Sequence, residues 1–251
     1  MTMGENRSVT AVQFNIPLWV DLTAIAVGSL QGAMFAAGFK RVDLLGVALI
    51  GITTGFGGGL LRDLLLGVTP VVFTDNAYIL TALIASFVGM LTAKLLQRVD
   101  PVITLLDALT IGLFASLGTA KALSLGLPTV PALFIGMVAA VGGGVIRDMM
   151  LNIPIGLMHV GSLYAVAALA GAGSFIALLA LGLEPAITLA ASILITALIR
   201  LLAVRFGWSL PEQRALNRRM LRRQREAEAT LEAIRTQTIP IIRPDSDPES
   251  D

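Results

Sequence analysis

Three stretches of this sequence, residues 22–39, 44–61 and 76–93, contain no charged side chain at all. About 20 apolar residues cross a bilayer core as a helix, and the helix is forced because hydrocarbon offers nothing to satisfy a free backbone N–H or C=O. Four more apolar runs follow, so the predicted spans are 18–39, 44–67, 76–96, 102–122, 129–151, 159–182 and 185–204. Runs such as Leu49-Ile50-Gly51-Ile52 and Leu178-Leu179-Ala180-Leu181 are apolar on every face, which excludes the in–out alternation of a barrel strand. Composition agrees: 14% of residues are charged, against about 25% in a soluble domain. The sequence therefore predicts an all-α integral membrane protein of seven transmembrane helices joined by short turns such as Val99-Asp100-Pro101.

The same composition removes classes of function. Without cysteine there is no disulfide framework, thiolate metal site or thiol catalysis. The one histidine, His159, leaves no two-histidine zinc site and no base for a Ser–His or Cys–His pair; it is read as an interfacial loop residue. We expect no enzyme, no cofactor and no resident metal. A net charge of +1 argues against a nucleic-acid partner.

Basic residues set the expected orientation. Lys40, Arg41, Lys94 and Arg98 flank loops on one side, and 9 of the 18 basic residues, all arginine, lie in the last 47 positions. That side is predicted to be cytoplasmic, which puts the N-terminus outside and the C-terminus inside. Residues 1–17 lack the basic start and apolar run of a cleaved signal peptide. The tail, 205–251, is expected to hold an amphipathic helix from Ser209, with Arg218, Arg219, Arg222, Arg223 and Arg225 facing anionic lipid. Residues 240–251 are expected to be disordered.

The chain also repeats itself. Gly57-Gly58-Gly59 precedes Arg62-Asp63, and Gly142-Gly143-Gly144 precedes Arg147-Asp148, so G-G-G-x-x-R-D recurs at an offset of 85 (147 − 62). Asp21 and Asp107 are 86 apart, as are Tyr78 and Tyr164, and Pro70 and Pro154 follow the two motifs. A duplicated three-helix unit, 18–96 and 102–182, explains these matches, with 185–204 outside it. Three helices is an odd number, so the second copy enters from the opposite side and the copies are related by a pseudo-two-fold axis in the membrane plane.

Three glycines weaken a helix and let backbone approach backbone or a ligand. Packing alone is one explanation, because Gly51, Gly55 and Gly59 form a small-residue stripe. The adjacent Arg-Asp favours a polar path, since a central charge costs about 2.5–3.5 kcal/mol on insertion scales. Snorkelling to the interface is the alternative for Arg62. Neighbouring side chains diverge by about 100° on a helix, so Arg62 and Asp63 are expected to pair with other helices rather than with each other. The glycines are expected to break each helix beside its charges. Asp21 and Asp107 are placed at helix starts, serving either the positive helix end or a pore mouth. Tyr78 and Tyr164 fit interfacial belts better than a gating role. Lys121 falls at the depth of Asp63, within reach of pairing with it.

With these features the chain resembles bacterial homologues of the trimeric intracellular cation (TRIC) channels, over about residues 18–204. The resemblance implies a homotrimer in the bacterial plasma (inner) membrane, with a pore in each protomer lined by helices two and five kinked at their glycines. It implies passive conduction of monovalent cations, potassium above all, with Gly57, Gly58, Gly59, Arg62, Asp63, Gly142, Gly143, Gly144, Arg147 and Asp148 at the pore. Transient cations would meet the Gly57–Gly59 and Gly142–Gly144 carbonyls. Inverted repeats also build secondary transporters, so a carrier of a small solute such as glycine is the alternative, and a scaffold docking through its tail is a third.

Overall fold

In the computed structural model, which describes residues 17–95, 100–158, 163–208 and Leu231, seven helices follow one another: α1 (Leu18–Ala36), α2 (Leu44–Leu65), α3 (Asn76–Leu95), α4 (Asp100–Ser124), α5 (Thr129–Met150), α6 (Tyr164–Ala180) and α7 (Pro185–Phe206). No strand occurs among the described residues. Six of the helices are long and apolar enough to span a membrane, and α6, at 17 residues, is shorter than the predicted 159–182. His159, Arg98 and nearly all of the Arg-rich tail lie outside the described residues.

Local chemistry places the boundaries. Asp43 accepts a 2.7 Å hydrogen bond from the Gly46 amide and so caps α2, while Pro185 opens α7 and Gly207, at φ 62°, closes it. One boundary differs from expectation: α4 starts at Asp100, so Asp107 sits two turns inside the helix rather than at its start. Its carboxylate is therefore too far along to serve the free N–H groups of the first turn.

The packing follows the repeat. α1 packs on α2 and α3, and α4 packs likewise on α5 and α6. The halves join mainly where α2 meets α5, and α7 lies against α4 and α6 of the second half alone. Small residues make these approaches possible, as expected where lipid supplies no hydrophobic drive between helices. Gly28 faces Gly55, Gly118 faces Gly136, and Ser116 and Ser192 meet at 2.7 Å between α4 and α7. Large side chains such as Leu80, Ile84, Leu91, Leu194 and Leu198 point outward, a surface suited to lipid chains.

The two glycine triplets do not interrupt their helices. α2 and α5 run as continuous α-helix through them, which corrects the expected break. What the glycines provide is proximity. A Cβ on Gly58 would collide with the Ala139 carbonyl, and one on Gly143 with the Thr54 carbonyl. The contact is its own mirror image, because Thr54 and Ala139, like Gly58 and Gly143, are 85 residues apart. Likewise Gly57 packs on Ile146 and Gly142 on Leu61. Residues advance along α2 as they retreat along α5, so the helices cross antiparallel at the triplets, on the pseudo-two-fold axis.

Candidate functional site

Beyond the crossing, each helix carries its Arg-Asp pair toward the opposite end of the bundle. The pair lies four and five positions beyond the middle glycine of its triplet, about 7 Å along the axis at about 1.5 Å per residue. The helix then stops in the same way at both ends. Gly67 (φ 67°) and Asn152 (φ 51°) take the left-handed conformation that glycine and asparagine tolerate. The Val68 amide reaches back to the Asp63 carbonyl at 3.0 Å, and the Ile153 amide to the Asp148 carbonyl at 3.0 Å, which is the Schellman closure of a helix.

That reversal folds the next segment over the carboxylate. A one-turn 3₁₀ helix begins at Val71 after one motif and at Gly156 after the other. The Val71 amide donates to Asp63 Oδ2 at 3.0 Å, and the Gly156 amide donates to Asp148 Oδ2 at 2.8 Å. The other carboxylate oxygen faces the neighbouring arginine. Arg62 Nε lies 2.7 Å from Asp63 Oδ1; Arg147 Nε and NH2 lie 2.9 and 2.7 Å from Asp148 Oδ1. Adjacent residues thus pair with each other, contrary to the sequence expectation. The angular argument holds for Cβ directions, but a guanidinium on three methylenes wraps round the last turn of a helix to reach its neighbour. Snorkelling is overturned too, since Arg62 is 1% exposed and Asp63 fully buried.

Gly59 and Gly144 differ from the middle glycines. A Cβ on either would lie 3.9 Å from NH2 of its own motif's arginine, Arg62 or Arg147, which is ordinary van der Waals contact, so packing does not require glycine there.

Further groups gather at each end, and here the mirror fails. At the first end Asp21 Oδ1 stands 3.9 Å from Arg62 NH1, and Lys121 Nζ binds Asp63 Oδ1 at 2.8 Å, the pairing that its depth suggested. Tyr78 is buried beside them rather than in an interfacial belt. At the second end Tyr164 and Arg200 stand beside Asp107, whose Oδ2 lies 3.5 Å from Arg200 Nε. The Arg200 guanidinium stacks over the Tyr164 ring at 3.8 Å, so that tyrosine is also engaged inward. Arg147 stacks on Phe35 at 4.1 Å, and Phe35 lines a cavity of about 910 Å³ at the ends of α1 and α3 and the starts of α2 and α4.

Arg200 and Phe35 were missed in the sequence. A signal existed for both. Arg200 is a cation inside an apolar span, which marks a functional candidate in itself, and Phe35 stands 86 residues before Lys121, its positional equivalent. No group of three metal-ligating side chains occurs among the described residues.

Comparison with known proteins places this arrangement. The family model described as glycine transporter matches twice, over residues 18–94 and 104–180. A UPF0126 membrane protein of Deinococcus radiodurans is 38% identical over 62% of this chain and 73% of its own length. The UPF0126 inner membrane protein YadS of Escherichia coli is 30% identical over 77% of this chain and 94% of its own length. Among solved structures, the TRIC trimeric intracellular cation channel orthologue from Rhodobacter sphaeroides superposes with a TM-score of 0.70 at 32% identity, covering 76% of this chain and 97% of the other. The doubled match, the aligned relatives and the shared seven-helix inverted repeat together make this chain a multi-pass membrane protein of the TRIC-like family, a homologue of the bacterial TRIC channels.

Proposed function

We propose that the protein is a potassium-preferring channel for monovalent cations, assembled as a homotrimer with a separate path in each protomer. The observation that carries this is the pair of buried Arg-Asp clusters at opposite ends of one glycine-lined helix crossing. Intramembrane charges of this kind mark ion and substrate routes. A conduction path must bind a cation strongly enough to admit it and weakly enough to release it. Carboxylates already paired with cations, Asp63 near the end of α2 and Asp148 near the end of α5, have that character. The triplets bring α2 and α5 into backbone contact and so set the two clusters at opposite ends of one crossing, and the cavity lined by Phe35 is the vestibule of the path at the Arg147 end. The solved neighbour named as a trimeric cation channel supports both conduction and trimer. Basic loops put the N-terminus outside and the tail in the cytoplasm, with membrane lipids as the tail's partner.

Purified protein in planar bilayers tests the proposal: unitary currents should appear in a potassium gradient without a coupled ion. Saturable uptake of a small solute without unitary currents would refute it. The carrier alternative has one observation in its favour, the description of the matching family as a glycine transporter, so radiolabelled glycine is the solute to use.

A further inference from the structure

Counting charge on the repeat residues alone shows a deficit. Arg62 with Asp21 and Asp63 sums to −1, and Arg147 with Asp107 and Asp148 also sums to −1. Each end of the crossing is therefore one positive charge short, in a buried place where an uncompensated charge is costly. At the first end Lys121, a member of the repeat, makes up the difference on Asp63. At the second end the position equivalent to Lys121 holds Phe35. The missing charge comes instead from Arg200 on α7, a helix the duplication did not supply.

Arg200 is held there as a charge more than as a hydrogen-bonding fork. Arginine typically meets a carboxylate through two parallel N–H···O bonds. Here Nε is 3.5 Å from Asp107 Oδ2, and Nε and NH1 are buried with no hydrogen-bond partner among the described residues. Among the described residues, the guanidinium meets a carboxylate and an aromatic face, with Tyr164 itself beside that carboxylate. Nothing in that set demands a guanidinium. A carboxylate, a phenol oxygen and a π face equally suit a small monovalent cation. We propose that Asp107 and Tyr164 form a monovalent-cation site which Arg200 fills as a tethered counter-cation.

The inference goes beyond conduction, because it concerns binding at equilibrium and is read without any current. The test uses the full-length protein in detergent, comparing Arg200→Gln, the double variant Asp107→Asn/Arg200→Gln and the unaltered chain. Thermal midpoints are measured as potassium chloride replaces N-methyl-D-glucamine chloride at constant ionic strength. The unaltered protein should be indifferent to the exchange. Arg200→Gln should gain a saturable rise of about 5 °C in potassium, and the double variant should lose it. A flat response from Arg200→Gln, or an equal response from the double variant, overturns the proposal. Recovery of folded Arg200→Gln only in potassium supports it. Failure to recover it in either salt, while Arg200→Lys folds in both, overturns it, because the site then requires an attached charge. A potassium response in a protein that carries no current would leave the site standing and remove the channel.

Discussion

The two ends of the α2–α5 crossing use the same motif and reach charge balance by different routes. At the first end the second cation belongs to the repeat and sits on the motif carboxylate, so Asp63 holds Arg62, Lys121 and the Val71 amide at once. At the second end the second cation belongs to α7 and sits on the carboxylate of α4, so among the described residues Asp148 holds Arg147 and the Gly156 amide. The residues shared by the two copies carry an incomplete charge set, and each end completes it with a different cation. The difference teaches that the motif specifies geometry, a crossing with a capped carboxylate, and leaves neutrality to whatever helix is adjacent.

The largest expected effect breaks the feature the ends share. Gly58→Leu or Gly143→Leu drives a side chain into a backbone carbonyl that cannot move aside. Overpacking of this kind costs about 1–3 kcal/mol when the surroundings yield and more when they do not. We expect little or no folded protein by size-exclusion chromatography. Gly59→Ala and Gly144→Ala, whose Cβ atoms meet an arginine NH2 at 3.9 Å, should fold normally.

Neutralising the carboxylates separates the ends. Asp63→Asn takes a partner from two cations, of which Arg62 keeps Asp21 at 3.9 Å, whereas Asp148→Asn takes one from Arg147 alone, and breaking a buried pair costs about 3–5 kcal/mol. Asp63→Asn should therefore lower the thermal midpoint more than Asp148→Asn does. Equal losses would mean that Lys121 adds nothing at the first end. Lys121→Met should fall below both, about 1 kcal/mol, because its side chain is 21% exposed and partly screened. The smallest effect is at the caps. Gly67→Ala should cost about 1 kcal/mol by putting a Cβ in the left-handed region, whereas Asn152→Gly should be neutral or slightly stabilising in the same melt.

How much was legible follows the physics of each signal. Apolar length is a property of composition, so the spans and the inverted repeat could be read directly, and Lys121 could be matched to Asp63 by depth. The pairing of Arg62 with Asp63 could not, because Cβ directions ignore the reach of a long side chain. The unbroken helices were hidden as well: a glycine run reads alike whether it bends a helix or admits a neighbour's carbonyl, and only the position of Thr54 and Ala139 decides it. Arg200 has no counterpart in either copy of the repeat, so the periodicity does not mark it.

The central claim is that the two Arg-Asp clusters border a cation path, and reversal potential in a salt gradient tests it most directly. One unit charge about 6 Å away is worth roughly 3 kcal/mol at an effective dielectric near 20, so each neutralisation should be visible through pore water. Folded Asp63→Asn and Asp148→Asn channels should shift toward anion permeability, and Arg62→Gln and Arg147→Gln should shift toward stronger cation selectivity. Unchanged reversal potentials in all four would mean that these residues only hold the helices together, and the claim would fail.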